Sequence, residues 1–92
     1  MRLVVTATFV RVTKKLHKPQ KEELDAAVRA ISLNPGIGEA KAGDLIGVRV
    51  YKFRLSGQLC LLAYRIMDAA SIKLLTVGPH ENFYRDLKRL DD

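Results

Sequence analysis

Gly47-Val48-Arg49-Val50-Tyr51-Lys52-Phe53-Arg54-Leu55-Ser56-Gly57-Gln58-Leu59-Cys60-Leu61-Leu62-Ala63-Tyr64-Arg65-Ile66-Met67 is the stretch that decides the fold. Residues 47–55 are β-branched and aromatic with interleaved charge, which predicts a strand with one wet face. Ser56-Gly57 is a turn. Residues 58–67 are strongly apolar, as a strand inside a sheet is. Asp68-Ala69-Ala70-Ser71 turns again, and residues 72–77 form a last strand. Links this short make the three strands antiparallel.

Upstream, Leu3 to Thr6 reads as a short first strand. The stretch from Ala7 to Leu16 is ambiguous. Phe9, Val12 and Leu16 have helical spacing, while Val10 and Thr13 weaken the helix. A helix over residues 20–33 follows, with Pro19 in its first turn and an apolar stripe of Leu24, Ala27, Val28 and Ile31. Asn34-Pro35-Gly36 stops it, and the glycines up to Gly43 predict a loop over 34–46. Downstream, Gly78-Pro79 closes the sheet, and a final helix is expected over 80–90 on a Phe83, Leu87 and Leu90 stripe.

These elements make an α+β chain of order β-α-α-β-β-β-α, with two N-terminal helices on one face of an antiparallel sheet and a C-terminal helix. The chain has 92 residues, so it is read as one domain over 1–92. Hydrophobic residues at 48% and charged residues at 28% fit a folded globule rather than a disordered segment.

Sixteen Lys and Arg against ten Asp and Glu give a formal charge of +6. A small basic domain suits phosphate-rich or acidic partners. Residues 1–21 carry Arg2, Arg11, Lys14, Lys15, Lys18 and Lys21 and no acid. That run reads either as a solvated helix face or as a phosphate-docking surface. One cysteine, Cys60, excludes an internal disulfide framework, and one Cys with two His makes a poor zinc set. Cys60 lies in an apolar run and reads as a buried thiol of a reducing cytoplasm. No apolar run reaches the ~18 residues of a membrane span. No signal peptide is read either, because Arg11, Lys14 and Lys15 break the apolar opening. Phosphate loops, dinucleotide fingerprints and HExxH are absent, so no cofactor is expected.

Chemistry concentrates elsewhere. Strand parity puts Lys52 and Arg54 on one face with Val48 and Val50, about 7 Å apart. Leu59, Leu61, Ala63 and Arg65 share a face of the central strand. In the final helix His80, Tyr84 and Lys88 are spaced i, i+4, i+8. Cations, an imidazole and an aromatic ring together can neutralise a phosphate, move a proton and stack a base.

The segments Gly47-Val48-Arg49-Val50-Tyr51-Lys52-Phe53-Arg54, Leu61-Leu62-Ala63-Tyr64-Arg65-Ile66 and Val77-Gly78-Pro79-His80-Glu81-Asn82-Phe83-Tyr84-Arg85-Asp86-Leu87, in this order, resemble the RelE/ParE superfamily of toxins from toxin–antitoxin modules. The resemblance implies a ribosome-dependent mRNA endoribonuclease that cleaves by 2′-hydroxyl attack without metal and is silenced by an antitoxin protein. Lys52 and Arg54 match strand lysines of the RelE active site. His80 and Tyr84 match the C-terminal histidine of the YafQ branch and the aromatic residue four positions later. Where RelE and YoeB carry a central-strand arginine this chain has Leu61, and Arg65 is the expected substitute. The ParE branch, with DNA gyrase as target and no nuclease chemistry, is the alternative. On the nuclease reading His80 is the general acid. Lys52 is a base if its environment depresses its pKa, and otherwise it stabilises charge with Arg54.

Overall fold

The computed structural model describes residues 1–90; the last two residues of the one-domain expectation lie outside the described residues. Strand β1 (Arg2–Val5) leads into α1 (Ala7–Thr13) and α2 (Lys18–Leu33). A two-residue strand β2 (Glu39–Ala40) precedes β3 (Val48–Leu55), β4 (Gln58–Asp68) and β5 (Ser71–Pro79), and α3 (Phe83–Lys88) follows. The sheet order is β1-β5-β4-β3-β2.

The meander β3-β4-β5 is antiparallel as expected, with Lys52 opposite Leu61 and Leu61 opposite Gly78. Ser56 and Gly57 both have positive φ, 52° and 78°, which the tight hairpin turn requires. The sheet is not antiparallel throughout. β1 runs parallel to β5, with Leu3 opposite Ile72. No hairpin links these two strands. The helices cross one face between them, and such a crossover permits parallel pairing.

The ambiguous stretch after β1 resolves as helix because Thr6 caps it. Thr6 Oγ1 accepts from the Phe9 N–H at 2.9 Å and donates to the Leu75 carbonyl at 2.6 Å. The side chain thus ends β1, starts α1 and ties both to β5. α2 starts two residues earlier than expected, where the His17 N–H donates to Gln20 Oε1.

Both faces of β4 are buried, as its unbroken apolar run requires. On one face Leu62 and Tyr64 pack with Phe9, Leu24, Ala27 and Ile31 of the helices. On the other, Leu61 and Ala63 pack with Val48, Val50, Leu75, Phe83 and Leu87. α1 and α2 therefore cover one face together, as expected, while α3 covers part of the opposite one. Truncation of Ile31, fully buried between α2 and the sheet, to alanine is expected to cost about 2–5 kcal/mol in urea unfolding. A cost under about 1 kcal/mol would mean that α2 does not seal this core.

The C-terminal region departs from expectation in two ways. β5 continues through Gly78 and Pro79 instead of ending before them. Proline is tolerated because β1 pairs only with Ser71 to Leu74, so the far end of β5 is a free edge on that side. α3 then begins at Phe83, not at residue 80. Asn82 adopts the left-handed conformation, φ 61° and ψ 3°, and interrupts any helix running from His80.

Candidate active site

On the sheet face that α3 partly covers, the part left open carries Lys52. Lys52 is exposed, opposite Leu61, and Leu61 in turn is opposite Gly78. Gly78 has open space where a side chain would stand, so this row across the sheet has an open floor. Two residues beyond Gly78 comes His80, exposed at the strand's end. Its ring meets that of Tyr84 edge to face, with centroids 5.9 Å apart. Tyr84 is braced by Phe83, also edge to face, at 5.5 Å. The pairing of His80 and Tyr84 thus holds, although its cause is a turn packed against a helix rather than helical spacing. Lys88 does not join them. It lines a small depression with Arg65 and Asp44 at the other end of α3.

Two residues of the segment read as a loop complete the cluster. β2 pairs with β3, placing Glu39 opposite Val50, and the Lys41 N–H donates to the Val48 carbonyl. Glu39 and Lys41 therefore project on the same face as Lys52. The Lys41 ammonium is bonded to the Glu39 carboxylate and lies over the Tyr84 ring, 5.1 Å from its centroid. The Lys41 side chain is only 20% exposed, against 66% for Glu39. The hydrogen bond from Lys41 and its charge hold the Glu39 carboxyl below the ordinary range, and the Lys52 charge adds to this. The Glu39 bond, reinforced by the Tyr84 hydroxyl, holds Lys41 protonated above the ordinary lysine range. A continuous series of neighbours runs from Lys52 through Glu39, Lys41 and Tyr84 to His80.

The loop that carries β2 is clamped from the sheet. The Tyr64 hydroxyl donates to the Pro35 carbonyl at 2.6 Å and accepts from the Gly38 N–H at 2.9 Å. Arg49 Nη1 donates to the Gly38 carbonyl at 2.7 Å. Burial pushes the Tyr64 phenol up, partly offset by the Gly38 N–H and the Arg49 charge. A raised folded-state pKa contributes stability fully below the ordinary tyrosine range, near pH ~10, and loses it as pH rises through the folded value. Tyr64→Phe is expected to be about 1–3 kcal/mol less stable at neutral pH, because two buried backbone groups lose their partner. Above pH ~10 the wild type should lose stability more steeply than the variant. Urea melts on both sides of that pH test this; parallel losses would contradict it.

Arg54 and Arg65 stand apart from the cluster. Arg54 donates to the Gly57 carbonyl at 3.0 Å and so sits at the hairpin tip. Arg65 is on the expected face but opposite Val48, four residues from Lys52 along the sheet, about 13 Å. Its Nη1 donates to the Ile46 carbonyl at 3.2 Å. Gly47 makes room for it: φ is +88°, and a side-chain carbon there would lie 2.6 Å from the same nitrogen. Arg65 is thereby occupied as a strut, and the structure does not bring it to the position left empty by Leu61.

The basic side chains of the first 21 residues are exposed, on β1, on α1, in the turn after it and at the start of α2. A cleft of about 530 Å³ between α1 and α3 is lined by Arg11, Thr76, Asn82 and Arg89 but includes none of Lys52, His80 and Tyr84. Cys60 is buried on the α2 face, away from the cluster. Burial, with the Glu23 charge, raises its thiol. Among the described residues no helix is long and apolar enough to cross a membrane.

A model of the ParE-like toxins of type II bacterial toxin–antitoxin systems matches residues 3–88. The chain belongs to this family. Solved structures similar to the toxin include the intact Escherichia coli RelBE toxin–antitoxin complex, at 22% identity and TM-score 0.68, covering 85% of this chain and 94% of that one. A double arginine-to-alanine mutant of Escherichia coli RelE in the free state aligns at 18% identity and TM-score 0.73, covering 97% and 90%. The conserved hypothetical protein HP0892 from Helicobacter pylori aligns at 18% identity and TM-score 0.51, covering 88% and 96%. At these identities the likeness is one of fold. No curated protein matches the toxin.

Proposed function

We propose that the toxin cleaves mRNA on the ribosome and that the open sheet face beside α3 is its active site. The observation that carries this reading is the His80–Tyr84 ring pair, linked through Lys41 and Glu39 to the exposed Lys52. RNA carries its own nucleophile, the ribose 2′-hydroxyl. As that hydroxyl gives up its proton to solvent water, its oxygen attacks the adjacent phosphorus, the bond to the 5′-oxygen breaks, and a 2′,3′-cyclic phosphate remains. His80 protonates the departing 5′-oxygen, since imidazole is the side chain that ordinarily exchanges protons near neutral pH. Lys52 lies exposed on the floor and neutralises the phosphate, while Arg54, held at the hairpin tip, adds its charge only at longer range. Tyr84 stacks on a base turned out of its helix or bonds the phosphate. Arg65 is no longer part of this assignment.

A protein antitoxin silences the activity. The likeness to the RelBE complex and the charge of +6 support an acidic polypeptide partner whose approach is electrostatically accelerated. It would cover or displace α3, which forms one wall of the site. Co-expression with the cognate antitoxin is expected to relieve growth inhibition; persistent inhibition would contradict the pairing.

A second reading has its own support, because the matching family is described as ParE-like. On that reading the toxin poisons DNA gyrase and cuts no RNA. Purified toxin assayed on translating ribosomes and in gyrase supercoiling separates the two.

A further inference from the structure

We propose that Lys41 is the residue that positions Tyr84 for catalysis, and that β2 is therefore a working part of the active site. The inference rests on the ribonuclease reading above. Tyr84 belongs to a helix of only six residues at the end of the described chain, which alone gives its ring little support. His80 and Phe83 both meet the ring edge to face. Lys41 supplies a contact of another kind. Its ammonium lies over the ring, and the side chain as a whole is only 20% exposed.

The lysine is itself fixed from two directions. Glu39, two residues earlier and on the same strand face, binds the ammonium. The backbone on either side is registered on β3, through Glu39 opposite Val50 and the Lys41 N–H on the Val48 carbonyl. Upstream, Tyr64 and Arg49 pin Gly38. A strand registered on β3 thus delivers a cation to one ring. The attraction of a cation to a tyrosine ring corresponds to roughly a 2- to 30-fold effect. Because Glu39 offsets the lysine charge, Lys41 acts on the ring more than on the phosphate.

The test uses Lys41→Met, which keeps the length and removes the charge, and Lys41→Arg, which restores a cation. The ring resonances of Tyr84 and His80 are followed by NMR, beside steady-state cleavage on programmed ribosomes. Lys41→Met should shift both sets of ring resonances and lower kcat by about 2- to 30-fold with KM unchanged, and Lys41→Arg should restore both. Glu39→Gln, which loosens the tether, should move the same resonances in the same direction. Unmoved rings in Lys41→Met would overturn the proposal. So would a loss confined to KM with a shallower salt dependence, the signature of a phosphate contact. If the wild type itself cuts no RNA, the ribonuclease reading falls, and the ring resonances still decide whether Lys41 positions Tyr84.

Discussion

On the ribonuclease reading, His80→Ala is expected to slow cleavage of ribosome-bound mRNA by about 10²- to 10⁴-fold, the usual worth of general acid–base help. The ring of His80 is exposed, contacts Tyr84 at its edge and caps no element of the fold. Its removal should therefore leave the circular dichroism spectrum and the urea midpoint close to those of the wild type. Tyr84→Ala should cost less, because a stacked base is worth about 1–3 kcal/mol, or roughly 5- to 150-fold. Single-turnover rates on the folded variants measure both. A wild-type rate in His80→Ala would remove the acid from the mechanism.

Gly38→Ala is expected to destabilise the toxin by about 2–5 kcal/mol, from steric overlap and from loss of a buried hydrogen bond. A side-chain carbon at residue 38 would lie 2.6 Å from the Tyr64 hydroxyl oxygen and 2.8 Å from a ring carbon. Tyr64 cannot yield, since it is fully buried between the sheet and α2. The loop must move instead, and with it β2, Glu39 and Lys41. Urea denaturation should show a lowered midpoint, with cleavage reduced even where the variant is fully folded. Unchanged stability would mean that the clamp on residues 35–38 is not tight.

The meander and α2 were legible because local rules govern them. The Ser56-Gly57 turn, strand alternation and a helical stripe all act within a few residues. The partner of β1 was not legible, since the Thr6 hydrogen bond that fixes it spans 69 positions. The start of α3 is not legible, because the stripe of Phe83 and Leu87 fits a longer helix and only the backbone at Asn82 shows where it breaks.

The site was half visible. Strand parity placed Lys52, and a spacing of four suggested the contact of His80 with Tyr84. Arg65 was assigned to the right face, but its reach is taken up by the Ile46 carbonyl, enabled by the positive φ of Gly47. Glu39 and Lys41 lie in a glycine-punctuated stretch that reads as a loop. Their order comes from Tyr64 and Arg49, 26 and 11 residues away from Gly38. The alternation Glu39-Ala40-Lys41 was the available signal, since alternate residues of a strand share a face.

The most direct test of the ribonuclease account is a paired assay of the purified wild-type toxin. One arm maps the ends of mRNA cut on translating ribosomes, and the other follows supercoiling by DNA gyrase. The account predicts cuts only when ribosomes are present, fragments ending in a 2′,3′-cyclic phosphate, and unaffected gyrase. Intact mRNA together with blocked supercoiling would contradict it.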